Sequence, residues 1–214
     1  MSDESNMISP KRRKLLQLSP LVLLAGCDYS PSGKVDSFLT SFQKFTDWVQ
    51  EKVFDKNKLA PEYSDNELTP IDGFLVNGYD TDEPEIDFEN WKLSVEGLVK
   101  NPGEYTLEHI QSFPKKIMNT RHCCVEGWSM IPKWSGARML DFMKSIGVDE
   151  TAKYVSVECG DDYYTCFDMP SFLHSQTMLC YEAYNKPLDL QHGAPVRIVM
   201  PTKLGYKSAK WLNK

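Results

Sequence analysis

The feature that most restricts the fold is the order of its periodicities. Short runs of strand pattern alternate with short runs of helical pattern, each closed by Gly or Pro, with no repeating strand–helix–strand rhythm. Trp91 to Gly97 alternates apolar and polar positions, as a half-buried strand does, and Tyr154 to Cys159 does so again. Val196 to Met200 is an apolar run closed by Pro201, and Ile117 to Thr120 predicts a strand leading into a pair of cysteines. Phe74-Leu75-Val76 predicts a short strand that runs into an Asn77-Gly78 turn. Thr106 is placed to cap a short helix through about Ser112, ended by Pro114. Ala137 to Ile146 sets Met139, Leu140, Met143 and Ile146 on one helical face, with Gly147 as the stop. Elements interleaved in this way predict a mixed α+β domain over residues 71–214.

The segment before that domain has a different character. Lys11-Arg12-Arg13-Lys14 precedes a short apolar run interrupted by Pro20 and closed by Leu24-Ala25-Gly26-Cys27. A basic start, a brief apolar core and small residues at the exit form an export signal over residues 1–27, too short to span a bilayer. Leu24 to Cys27 has the form of a lipobox, in which Cys27 takes the lipid, and Arg12-Arg13 resembles the twin-arginine address of proteins exported already folded. Residues 28–34 have tether composition. Val35, Phe38, Leu39, Phe42, Phe45, Val49 and Val53 then fall on one helical face, which predicts an amphipathic helix packed on the domain. Residues 55–70 are polar and read as a connecting loop. The expected location is the periplasm or the outer face of the cytoplasmic membrane, held only by the lipid on Cys27.

The net charge of −6 lacks the basic footprint that nucleic-acid binding needs. The six cysteines form no Cys-x-x-Cys pair, which argues against a zinc ribbon or a thioredoxin-like site. With Cys27 lipidated five remain, so at least one is free or ligates something.

The stretch richest in chemistry is Thr120-Arg121-His122-Cys123-Cys124-Val125-Glu126-Gly127-Trp128-Ser129. A thiolate beside Arg121 and His122 suits a nucleophile or a soft-metal ligand. A buried turn cysteine or a vicinal disulfide would use the same residue types, so local chemistry leaves these readings open.

That segment resembles the cysteine segment of the sulfite oxidase-like molybdopterin oxidoreductases, especially the bacterial periplasmic branch that holds methionine sulfoxide reductase catalytic subunits. Trp134-Ser135-Gly136, Asp162 to Thr165, Asp168-Met169-Pro170, His192 to Arg197 and Pro201 to Lys210 resemble further family segments in family order. The resemblance implies one molybdenum held by the dithiolene of a single pyranopterin (Mo-molybdopterin) and one cysteine thiolate. It assigns that metal ligand to Cys124, with Arg121 in the catalytic segment and Cys123 as a bystander. Implied cofactor contacts are Asp72, Leu75, Val76 and Asn77 in a first loop, then Cys159, His192 and Arg197. Lys207, Ser208, Ala209 and Lys210 resemble a phosphate clamp, with the Arg197 fork aimed at the same phosphate. His109 and His174 are expected at the surface, and Cys166 and Cys180 as small core residues.

The resemblance further implies transfer of an oxygen atom to or from a small sulfur- or nitrogen-containing substrate. No Cys-x-x-Cys-His haem motif occurs, so electrons would be exchanged with a separate protein, such as a membrane cytochrome b. Relatives run on past the position of Lys214, which implies a C-terminally truncated domain. The competing reading from a different class is a non-enzymatic envelope lipoprotein that uses the same fold as a binding module.

Overall fold

The computed structural model describes residues 33–53, 55, 57–77 and 83–214, in two compact units that divide between residues 54 and 55. The export-signal readings on Arg12-Arg13 and Cys27 lie outside the described residues. The first unit contributes helix α1, Gly33–Val53, close to the span its periodicity predicts. Along it Phe38, Leu39, Phe42, Phe45 and Trp48 are exposed. No helix among the described residues is long and apolar enough to cross a membrane.

The second unit begins at Asp55 rather than Ile71. The reason is hydrogen bonding. Ala60 N donates to Gln176 Oε1 (2.8 Å), Tyr63 N to Asn119 O (2.9 Å) and Thr69 N to Ile131 O (3.0 Å), so the expected loop is stitched onto the body. Its strands are β1 (Lys92–Val95), β2 (Gly103–Thr106), β3 (Lys115–Asn119), β4 (His122–Cys123), β5 (Ser129–Met130), β6 (Lys133–Arg138), β7 (Tyr154–Glu158), β8 (Tyr164–Asp168), β9 (Met178–Ala183), β10 (Lys186–Pro187) and β11 (Arg197–Val199). Its helices are α2 (Leu107–Gln111), α3 (Met139–Ser145) and α4 (Met169–Phe172). Thr106 caps α2 by accepting from His109 N, as expected. Helix α3 starts two residues later than expected, because Ala137 and Arg138 complete β6. Phe74-Leu75-Val76 forms no strand. It follows a 3-10 turn, Ile71–Gly73, and Phe74 finds aromatic partners instead of a sheet edge.

The main sheet is antiparallel in the order β10-β9-β6-β3, with β11 on the remaining length of the β9 edge. Gly136 sits at the irregularity between β6 and β9. A methyl on its Cα would lie 2.1 Å from Leu179 O and 2.7 Å from Cys180 Cα, so only glycine lets these backbones pair.

Side-chain alternation divides the sheet into two faces. Ala137, Leu179, Tyr181 and Ile198 join Ile110, Phe142, Met143, Val157 and Leu212 in the larger apolar core, beneath α2 and α3. Met118, Trp134, Met178, Cys180 and Val199 point the other way into a smaller cluster, joined by Phe74 and Tyr184. Arg197, two residues before Val199 on β11, shares that second face and lies against Trp134. The candidate site residue Arg197 thus lies on this face. The result is a mixed α+β domain.

Candidate functional site

Strands β4 and β5 form a hairpin whose loop carries Cys124. Cys124 N donates to Trp128 O (2.9 Å), and Gly127 N donates to Cys124 O (3.3 Å). Gly127 takes the left-handed φ of +95° that closes this turn. The turn folds Glu126 back over its own start. Glu126 Oε2 accepts from Trp128 Nε1 and from Asn77 Nδ2, each at 2.9 Å. Cys124 Sγ lies 3.8 Å from the same oxygen and 3.7 Å from Asn77 Nδ2. The first expected cofactor loop and the cysteine segment thus meet, although 47 residues separate Asn77 from Cys124. Leu75 and Val76 are exposed beside Asn77, and Asp72 is exposed in the preceding 3-10 turn.

Trp134 on β6 joins this hairpin to the rest of the site. Its ring meets His122 edge-on at 6.3 Å, Phe74 edge-on at 5.4 Å, and the Arg197 guanidinium at 5.0 Å. Burial pushes the pKa of His122 down to about 3, with the nearby charge of Arg197 adding to the effect. His122 is therefore neutral at physiological pH. Gly205 packs so closely on its ring that a methyl there would be 2.6 Å from Nε2.

Arg197 is the most unusual group of the molecule. It is 5% exposed, Nη1 donates to His192 O (2.9 Å), and Nη2 donates to Ser208 O (3.0 Å). Its Nε has no partner, and among the described residues no carboxylate forms an ion pair with it. Burial lowers its pKa to about 10. A buried cation with an orphan donor and no counter-ion is costly unless an anion completes it. The fork expected to grip a phosphate directly is used on two backbone carbonyls, and its buried Nε is left without a partner.

The neighbouring residues extend the same polar floor. His192 stacks flat on Phe74 at 3.6 Å, with Nδ1 2.6 Å from Asp189 Oδ1 and Nε2 3.3 Å from Phe74 O. Lys210 Nζ donates to Gln191 O (2.8 Å) and lies 3.8 Å above the Trp211 ring. Burial, with Arg197 adding, lowers its pKa to about 8. Ser208 and Ala209 are buried between them, and their carbonyls accept from Arg197 and Ile198 N. Lys207 is occupied elsewhere, donating to Thr165 Oγ1 (2.9 Å) and Cys166 O (2.6 Å).

Other expected residues fall outside this cluster. Arg121 is exposed, donating to Tyr63 Oη (3.2 Å) and Ser129 Oγ (3.3 Å). Cys159 lies in the larger apolar core, where burial pushes its thiol up to about 12. Cys180 is a core residue as expected, but Cys166 is exposed, because β8 turns it outward between buried Thr165 and Phe167. His109 is exposed as expected, whereas His174 is buried. Its Nδ1 accepts from Gln176 N, and its Nε2 is 3.2 Å from Lys58 O, in the segment expected to be a connecting loop. The five described cysteines are all unpaired. A cavity of about 360 Å³, lined among others by Leu93, Phe142, Met143, Val155 and Leu212, opens on the larger core and touches none of the expected site residues. Sequence reasoning assigns no individual role to Trp134, Glu126 or Asp189. Only Glu126 carried a usable signal, as the acid two residues after the cysteine.

Among the described residues no group of three or more His, Cys, Asp or Glu side chains is arranged to hold a metal ion.

Residues 80–214 match the family described as oxidoreductase molybdopterin binding domain. The chain is 41% identical over 210 residues to a protein of Azospira oryzae provisionally named protein-methionine-sulfoxide reductase subunit YedZ1, covering 95% of this chain and 79% of that protein. It is 30% identical over 166 residues to the protein-methionine-sulfoxide reductase catalytic subunit MsrP of Ralstonia nicotianae, covering 68% of this chain and 50% of that protein. Among solved structures it resembles the sulfane dehydrogenase SoxCD from Paracoccus pantotrophus, with a TM-score of 0.62 and 20% identity. That match covers 74% of this chain and 44% of SoxCD, and it bears on the fold alone. The residues on the second face of the sheet fit such a cofactor. The Cys124 thiol suits a soft metal, and a buried arginine without a counter-ion among the described residues and a lysine whose pKa is lowered by burial suit an anionic group.

Proposed function

Because the chain belongs to the oxidoreductase molybdopterin binding domain family, we propose that it is an oxygen-atom transferase of the cell envelope acting on a small sulfur- or nitrogen-containing substrate. The cofactor is Mo-molybdopterin, which when bound supplies a two-electron redox change coupled to movement of one oxygen atom. Cys124 is the protein ligand to the metal. Asn77 donates toward its sulfur, while Glu126 holds Asn77 and Trp128 in place around it. Arg197 and Lys210 take the phosphate, and His192, flat on Phe74 and oriented by Asp189, contacts the pterin side. Neutral His122 packs beneath the cysteine turn without adding charge there.

The single observation that carries this reading is the contiguity of Cys124 and Arg197 through His122 and Trp134. The arginine inventory favours reduction of a neutral sulfoxide or other oxide over oxidation of sulfite. Arg138 is neutralised by a two-point contact with Asp141, Arg121 lies against Tyr63, and Arg197 is buried, so among the described residues no arginine cluster faces Cys124. Electrons arrive from a separate membrane protein of cytochrome b type, and Cys27 anchors the exported chain to the membrane.

The test is production of the parent, Cys124→Ser and Cys123→Ser in a host that makes molybdopterin. Molybdenum per chain, released pterin fluorescence and dye-driven reduction of methionine sulfoxide are measured. Cys124→Ser should fold, since the change is nearly isosteric, but lose at least about 100-fold in activity, because a hydroxyl is a poor substitute for the soft thiolate donor. Cys123→Ser should stay within a few-fold of the parent. Equal behaviour of the two variants would remove Cys124 as the ligand, and a metal-free parent would favour the binding-module reading.

A further inference from the structure

Helix α1 carries an apolar face that the site does not use. Val35, Phe38, Leu39, Phe42, Phe45, Val49 and Val53 share one side at helical spacing, and Phe38 and Phe42 are 67% and 58% exposed. The aromatic rings run from this side onto its flank, since Trp48 falls about 120° round the helix from Phe42. Phe42 and Phe45 are 6.4 Å apart, and Phe45 stacks on Trp48 at 6.2 Å. Thr46, which falls on the same side, turns its hydroxyl to Phe42 O at 2.7 Å, so it needs no water there. The other side carries Asp36, Lys44 and Asp47, and with Lys52 these charges cancel.

We propose that this face of α1 lies in the surface of the lipid bilayer. Phe, Trp and Leu opposite a polar face make the arrangement of an interfacial helix, and the helix begins only six residues after Cys27. Six residues reach at most about 20 Å, so a lipid on Cys27 delivers the helix to the bilayer surface. The inference rests on the anchoring proposed for Cys27. Because the charges cancel, attachment is driven by apolar contact and does not require anionic lipid. A single acyl chain holds a protein only marginally, and a buried helix face is a second, independent attachment.

The experiment uses the full exported chain reconstituted into phosphatidylcholine vesicles with and without brominated acyl chains, in low and high salt. A tryptophan is introduced at Phe42 (Phe42→Trp) or on the opposite side at Lys44 (Lys44→Trp), and the parent signal is subtracted. Mass spectrometry of the N-terminal peptide reports acylation, and vesicle flotation reports attachment. The added emission at position 42 should fall about twofold in brominated vesicles, that at position 44 should change little, and salt should alter neither. Acylated, floating protein with both positions unquenched would overturn the interfacial helix and leave the anchor standing. Protein without acyl mass that floats with position 42 quenched would uphold the helix and remove the anchor. Protein without acyl mass that fails to float would overturn both.

Discussion

Replacing Lys210 by Met should stabilise the empty protein while weakening its hold on the cofactor. Burial and the neighbouring Arg197 lower the lysine pKa from 10.5 to about 8. A fall of that size disfavours the folded, charged form by about 3 kcal/mol. Lys210 keeps part of its surface in water, and Met forfeits the bond to Gln191 O and the seat over Trp211. The net gain at pH 7 is therefore about 1–2 kcal/mol, or roughly 2–8 °C in Tm for a chain of this size. The sign follows from proton binding. Below pH 8 both folded and unfolded chains carry the proton and the penalty is present in full. Between pH 8 and 10.5 the folded protein has released it and the unfolded chain has not, so the penalty fades as pH rises. The gain from Met should thus be present at pH 7 and largely gone by pH 10. Thermal unfolding of cofactor-free parent and variant at both pH values reads this directly. In protein made with cofactor, the same change removes a charge-assisted contact to phosphate and should lower molybdenum per chain about tenfold. A lower Tm at pH 7, an equal gain at both pH values, or unchanged molybdenum content would each refute the assignment of Lys210 as a buried cation awaiting an anion.

Other substitutions test the scaffold and the route. Gly136→Ala drives a methyl into Leu179 O and Cys180 Cα, so it should cost at least about 3 kcal/mol by parting β6 from β9, read as a lower denaturant midpoint. Arg197→Lys keeps the charge but loses one of two carbonyl bonds and the planar donor set. It should lower both cofactor-free stability and molybdenum occupancy, measured on one preparation by thermal scan and metal analysis. Arg12-Arg13 changed to Lys-Lys should retain folded, cofactor-loaded protein in the cytoplasm, and cell fractionation showing normal export would remove the twin-arginine reading.

The amino-acid order alone determined the elements whose evidence is local. The cap at Thr106, the α1 periodicity and the alternating β1 and β7 strands depend on residues within one or two turns of each other, and these formed as expected. Strand β9 was invisible by the same logic. Met178 to Ala183 is buried on both faces in the middle of the sheet, so it shows no alternation to read. Phe74-Leu75-Val76 has strand composition but no edge to pair with, and tertiary contacts with Trp134, Tyr184 and His192 decided its conformation. The site divides along the same line. Cys124, Glu126 and Gly127 are neighbours in sequence, so their turn chemistry was legible. Arg197 was expected as a phosphate fork from the resemblance, and only the pairing of β11 with β9 made it a buried cation on the Trp134 face. His174 and Cys166 went the opposite ways from expectation for this reason, since burial is settled by what packs on a residue from far along the chain. Residue types announce which chemistry is available. The charge state and reach of each group depend on desolvation and on partners brought together by the fold, which is why an arginine without a counter-ion could be found only in three dimensions.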